Sequence, residues 1–162
     1  MSRQHDISRI WDIIDKVGTC MLSTRFAWGL HARPLEARPD RKAGLIWFVT
    51  DLRSDKEHEI AAEQEVCLVF IDAADQAYLS VCGRAVMRRD HAKAAQIWQL
   101  TDRAWWSGPD DPNVGVLCVR PLLAELWDGP SSTVATAFEF AKAAVTGGEP
   151  DLGENRKVTV EM

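Results

Sequence analysis

Apolar residues recur along this chain with two periods, and the changeovers between them mark out its elements. Ile7, Ile10, Trp11, Ile14 and Val17 follow the i, i+3, i+4, i+7 spacing of an amphipathic helix, with Asp6 as its N-cap and Gly18 as its stop. Thr19 to Trp28 and Leu30 to Arg38 then read as two strands joined at Gly29, and a polar turn over 39–44 leads into a third strand over 45–50. Ser54 and Glu57 have the capping-box spacing S-x-x-E, which predicts a helix over about 54–63. Val66 to Ile71 is a continuous apolar run, the pattern of a strand buried on both faces. A turn over 72–75 precedes a longer strand from Ala77 to Arg88, in which Gly83 signals a bulge or the close approach of another backbone. Asp90 caps a helix that turns Ala94, Ala95, Ile97 and Trp98 inward, and residues 102–113 form a loop. Val114 to Asp128 is the last long strand, and its Pro121 implies an edge position or a bulge. After Ser131-Ser132 the stripe Val134, Ala137, Phe138, Ala141 and Val145 predicts a fourth helix ending at Gly147-Gly148. Val158-Thr-Val160 supplies one more short strand or a segment that docks on a partner.

About six strands with hairpin-like spacing and four helices favour a mainly β chain, a closed or nearly closed antiparallel barrel with peripheral helices. A doubly wound α/β sheet is excluded by the missing G-x-G-x-x-G and by too few strand–helix alternations. The 162 residues are most simply one domain, with a core over about 8–130 and a C-terminal helix and tail over 131–162.

Composition narrows the function. A formal net charge of −5 argues against nucleic acid, whose binders concentrate basic charge. Neither a bilayer-length apolar run nor a secretion signal is present, so a cytoplasmic protein is expected. Cysteines 20, 67, 82 and 118 sit singly in strand-like runs with no C-x-x-C pair, and read as small buried hydrophobes. Histidines 5, 31, 58 and 91 show no metal-ligand spacing. Of seven tryptophans, Trp11 and Trp98 fall on helix faces, whereas Trp105, Trp106 and Trp127 border turns or strand ends, where a flat surface suits a ring-shaped ligand or a partner subunit.

The segment Trp47-Phe-Val-Thr-Asp-Leu-Arg-Ser54-Asp-Lys56 carries the sharpest chemical signal, a buried strand running directly into a helix start. A helix N-terminus offers unpaired N–H groups and partial positive charge. Lys56 in that first turn opposes the dipole, and a bound anion would remove the conflict. Upstream lies Arg33-Pro34-Leu35; downstream lie Trp105-Trp106-Ser-Gly-Pro-Asp110-Asp111-Pro112 and Glu125-Leu-Trp127-Asp128-Gly129. These four blocks, in this order, resemble the flavin-binding core of the pyridoxamine-phosphate oxidase-like split-barrel superfamily. The general-stress-protein branch is the one they resemble most, over roughly residues 8–160.

The resemblance implies a six-stranded split barrel built as a homodimer, with FMN across the interface. By that match, Arg33, Ser54 and Lys56 hold the phosphate. Thr50 offers its hydroxyl or main-chain N–H to the pyrimidine edge, Pro34 and Leu35 wall the ring, and the ring stacks near the strand from Phe48 to Asp51. Tyr78 falls where vitamin-B6-oxidising relatives use a glutamine from the other subunit, and it reads equally as a ring contact or a barrel-wall residue. Trp106 and Trp127 match aromatic positions near the ring; for Trp127 an interface core role is the other reading. The sequence departs from the vitamin-B6 oxidases after Trp127, where no R-x-H occurs, so oxidation of pyridoxamine phosphate is not expected. Three functions stay open: an FMN oxidoreductase exchanging electrons with NAD(P)H or a similar small molecule, a flavin-binding module without turnover, and a relative using FAD or a deazaflavin.

Overall fold

The computed structural model describes residues 3–129, 140–145, 147 and 156–162. Helix α1 (Arg3–Val17) buries Ile10, Trp11, Ile13 and Ile14 and starts early enough that Asp6 lies within its first turn rather than capping it. Gly18 ends it in the left-handed region, at φ +69°, with its N–H bonded to the Ile14 carbonyl at 3.0 Å.

Among the described residues eight antiparallel strands make one sheet: β1 (Thr19–Phe26), β2 (Gly29–Glu36), β3 (Arg38–Asp40), β4 (Leu45–Asp51), β5 (Glu65–Asp72), β6 (Ala77–Arg88), β7 (Val114–Asp128) and β8 (Arg156–Glu161). Their spatial order is β2-β1-β5-β6-β7-β4-β3, with β8 also on β7. The two ends of this path, β2 and β3, are consecutive in the chain and separated by Ala37 alone. One extended segment therefore leaves β1 and joins β4, which closes the sheet into a barrel of six staves with β8 as an outer addition. The expected six strands are these staves. The predicted second strand over 30–38 is the segment that Ala37 divides, its N–H held by the Gly18 carbonyl at 2.7 Å.

Alternation fixes the inside of the barrel. Cys20, Leu22 and Thr24 of β1, Val66, Leu68 and Phe70 of β5, and Leu79, Val81 and Ala85 of β6 point inward with Ile46 and Phe48 of β4. The expectation that 66–71 is buried on both faces is corrected. Cys67 and Val69 are half-buried and Ile71 is exposed, because no helix among the described residues covers that outer face. The strand buried on both sides is β4, whose outer residues Trp47 and Val49 lie with Val114 and Val116 under helix α3 (His91–Ile97), against Ala94, Ile97, Trp98 and Trp106. The cysteine reading is corrected likewise: Cys20 is buried, Cys67 and Cys118 are half-buried and Cys82 is exposed, all four as free thiols.

Both signals read at Gly83 and Pro121 are realised at one place. The β6–β7 register shifts between Cys82 and Gly83, Gly83 faces Pro121, and a Cβ on Gly83 would sit 2.4 Å from the Arg120 carbonyl oxygen. Pro121 falls where β7 changes its other partner, from β4 at residues 114–119 to β8 at residues 123–128, so its missing N–H falls between the two ladders. The tail forms β8, with Val160 buried in the core. The 102–113 segment begins in a 3₁₀ helix (Leu100–Ala104) before it loops. Residues 140–145 are helical, while the predicted stripe at Val134, Ala137 and Phe138 lies outside the described residues. Among the described residues no helix is long and apolar enough to cross a membrane.

Candidate functional site

The chemistry-bearing residues converge where helix α2 (Lys56–Ala62) covers one end of the barrel. A compact turn between β4 and α2 aims that helix. The Asp51 carboxylate accepts from the Arg53 N–H at 2.8 Å, from Arg53 Nε at 3.0 Å and from Nη2 at 2.6 Å. These bonds to Arg53 outweigh the partial burial of Asp51 and hold its carboxyl below the usual range. Ser54 Oγ donates to the Asp51 carbonyl at 2.8 Å. The predicted capping box is therefore not formed. Ser54 is spent inside the turn, and Asp55 occupies the cap position without a side-chain cap bond. Buried Ile60 then anchors α2 on the core.

That geometry carries Lys56 inward, 9% exposed. Burial, and then the charge of Arg33, push its ammonium pKa down, while Asp51, Glu59 and Asp55 pull the other way. Among the described residues its Nζ makes no ion pair. Arg33 lies on the inward face of β2, opposite Leu22. Its Nη1 donates to Thr24 Oγ1 at 2.6 Å and its Nη2 to Glu59 Oε2 at 2.5 Å. Thr24 Oγ1 donates in turn to the same Glu59 oxygen. His31 Nδ1 sits 2.7 Å from Arg33 Nη2 and 3.3 Å from Glu59 Oε1. Burial alone would raise the Glu59 carboxyl, but the bonds from Thr24, Arg33 and His31 outweigh it and hold the group down to about 2.

The charges do not cancel. Arg33 and Glu59 neutralise each other, as do Arg53 and Asp51, and Lys56 is left as a buried cation beside a second cation. A desolvated ammonium in that position is costly unless an anion joins it. The cluster therefore fits a phosphate, with Lys56 the group still open to bond it. Because α2 has only seven residues and its first turn carries Glu57 and Glu59, the binding power comes from side chains more than from the helix dipole.

The ring-side candidates fall into three groups. Phe48 is fully buried and Leu35 half-buried on the core, so they offer a ligand mainly main-chain atoms. Residues 48–51 have a ladder partner on β7 alone, because β3 pairs only with 45–47. That leaves one polar backbone edge of β4, including buried Thr50, open where the barrel wall parts beside β2. Pro34 is exposed on the outer face. Tyr78 and Trp127 are cross-strand neighbours on the outer face of β6 and β7, with Lys157 Nζ 5.1 Å over the Trp127 ring. Within one chain Tyr78 is three strand positions from Arg33, and Trp127 is two when counted through the β3–β4 closure. Trp106 belongs to the packing under α3, 6.4 Å from the Trp98 ring. The loop that follows it is knotted by Asp111, which accepts from Ser107 Oγ at 3.0 Å and the Asn113 N–H at 2.9 Å.

A family model described as pyridoxamine 5'-phosphate oxidase like matches residues 5–151. The chain belongs to this family. A general stress protein 26 from Jannaschia sp. CCS1 is 27% identical and superposes with a TM-score of 0.75 over 98% of this chain and 99% of that one. The general stress FMN/FAD binding protein of Xanthomonas citri is 24% identical, with a TM-score of 0.71 over 80% and 92%. The protein bli-3 of Neurospora crassa is 21% identical over 123 residues, 70% of this chain; the chain spans 59% of the length of that relative. In this family member the residues that sequence reasoning missed are Thr24, His31 and Glu59. The one available signal was Glu59 three residues after Lys56, on the same helical face. Its partner Arg33 lies 26 residues earlier and becomes visible only once β1 and β2 are paired.

Proposed function

We propose that this chain is a cytoplasmic flavin-binding protein, loaded with FMN and working as a homodimer, that exchanges electrons with a small donor such as NAD(P)H. The observation that carries this reading is Lys56, a buried ammonium without an ion pair among the described residues, set beside Arg33 at the end of the open β4 edge. In this reading Lys56 and Arg33 bond the phosphate and Ser54 shapes the turn that presents them. The main chain from Phe48 to Asp51 meets the polar edge of the ring, with Pro34 and Leu35 beside it. When bound, the flavin supplies the electron or hydride chemistry, and the protein sets its orientation and surroundings.

The homodimer is supported by an outer face that no helix covers among the described residues. Met21, Ile71, Tyr78, Leu122 and Leu123 are exposed there on β1, β5, β6 and β7. A second copy on that face would bring its Tyr78 and Trp127 to the flavin. Four free thiols suit a reducing compartment. The description of the Xanthomonas citri relative as FMN/FAD binding lends weight to the cofactor class.

Titration of the protein with FMN, FAD and riboflavin, read by flavin fluorescence, tests the cofactor. FMN should bind at least tenfold tighter than riboflavin, and equal affinity would remove the phosphate site. Anaerobic mixing with NADPH or NADH should bleach the bound flavin, whereas an unchanged spectrum would make the chain a binder without turnover.

A further inference from the structure

The outer face of β4, β6 and β7 carries a second cationic site that the flavin reading does not use. Here Arg84 and Arg120 are direct cross-strand partners, Val86 faces Cys118, and Trp47 faces Cys118 from the other side. Helix α3 covers the Val49–Val116 end of this face and stops short of the rest. What remains open is a cavity of about 350 Å³, with Arg84, Arg88 and Arg120 around a floor of Trp47, Val86 and Cys118. Lys93 lies outside the cavity, in the neighbouring pocket that shares Trp47, with its Nζ 4.5 Å from the centre of the Trp47 ring.

Like charges directly opposite on adjacent strands repel, with Cβ atoms only about 4.5–5.5 Å apart. Arg84 also has Glu65 opposite it on β5, but the two make no ion pair among the described residues. Arg88 has Asp90 at 3.2 Å. Arg84 and Arg120 make no ion pair or side-chain hydrogen bond among the described residues, and no carboxylate lines the cavity. The concentration is notable in a chain whose formal net charge is −5. The backbone holds the pair close, since the bulge at Gly83 admits the Arg120 carbonyl where any Cβ would clash. Beneath them, the Trp47 indole N–H is buried without a partner among the described residues. Arg88, Arg120 and Lys93 also pull the Cys118 thiol down, against a larger upward push from burial, so their fields meet at the cavity floor.

We propose that this cavity is a binding site for a small, multiply charged phosphate compound, of the diphosphate class. Guanidinium groups match phosphate oxygens in paired hydrogen bonds, and an apolar floor strengthens each of them by excluding water. The volume is near the lower limit for a small-molecule site and holds a diphosphate with little attached. It is too small for a polynucleotide or a protein helix. The site shares no residue with the Arg33–Lys56 cluster and does not depend on the flavin reading.

Calorimetric titration with inorganic pyrophosphate, at fixed ionic strength, tests it in the full chain and in the Lys56→Met variant, where the other anion cluster is disabled. One saturable site should persist in Lys56→Met. Arg84→Gln and Arg120→Gln should each weaken it at least tenfold, and together abolish it. Arg120→Gln, without pyrophosphate, should melt at or above the wild-type temperature, because its like-charge opposition to Arg84 is gone. Loss of all pyrophosphate binding in Lys56→Met would overturn the proposal, since the anion then sits in the other cluster. So would binding that survives the double arginine variant, or an Arg120→Gln variant that melts lower than wild type and binds pyrophosphate normally.

Discussion

Replacing Lys56 by Met isolates the phosphate contribution in a way that replacing Arg33 does not. Methionine keeps the length and the apolar stem of the lysine and removes only the ammonium. One charge-assisted hydrogen bond to a phosphate is worth roughly 1.5–3 kcal/mol, so FMN should bind about 10- to 150-fold more weakly. Riboflavin, which has no phosphate, should bind as before. Stability should move the other way. Burial and Arg33 depress the Lys56 pKa, so the charged form costs the folded state energy at neutral pH. That cost is present below the folded pKa and fades as the pH rises toward 10.5, where the unfolded chain also loses the proton. The flavin-free variant should therefore melt no lower than wild type at neutral pH, and the gap should close in alkali. Arg33→Ala leaves Glu59 buried without its main cation, at about 3–5 kcal/mol. At about 2–4 °C per kcal/mol for a chain of this size, that is a drop of roughly 6–20 °C in melting temperature. Weak FMN binding by such a variant would report unfolding as much as recognition. Equilibrium fluorescence titrations with the two flavins, beside thermal melts followed by circular dichroism, give all of these quantities. Equal weakening of FMN and riboflavin in Lys56→Met, or none of either, would refute the reasoning.

Three other outcomes follow from the same contacts. The stabilisation from Glu59 should be complete above about pH 4.5 and disappear as the pH falls toward about 2; an acid-unfolding curve of Glu59→Gln, compared with wild type, should be flatter across that window. Gly83→Ala should lose roughly 1–3 kcal/mol, read from chemical denaturation, because its Cβ meets a backbone oxygen rather than a side chain that can turn away. Ile71→Glu on the uncovered face should yield a folded monomer by analytical ultracentrifugation where wild type is a dimer; a monomeric wild type would remove the homodimer.

Much of this fold was legible because local signals and tertiary structure agree. The 3.6 period of α1, the glycine stop at Gly18, the bulge at Gly83 and the strand over 114–128 stand where the pattern put them. The failures have a common cause, which is that burial depends on what lies across a sheet. An apolar run at 66–71 and another at 45–50 look alike in sequence, yet only the second is roofed by α3. The capping box failed because the Asp51–Arg53 turn took Ser54 first. In the candidate site, Lys56 was readable as a cation in the wrong place for a helix dipole. The Glu59 clamp on Arg33 was not, because it joins residues whose proximity is set by strand register rather than spacing.

The central claim is that the Lys56 ammonium, beside Arg33, receives the phosphate of a flavin. Crystals of the protein grown with FMN would test it most directly. The account predicts phosphate density within hydrogen-bond reach of Lys56 Nζ, with the ring along the β4 edge from Phe48 to Asp51. A phosphate found at Arg84 and Arg120 instead, or a flavin bound with its phosphate in solvent, would contradict it.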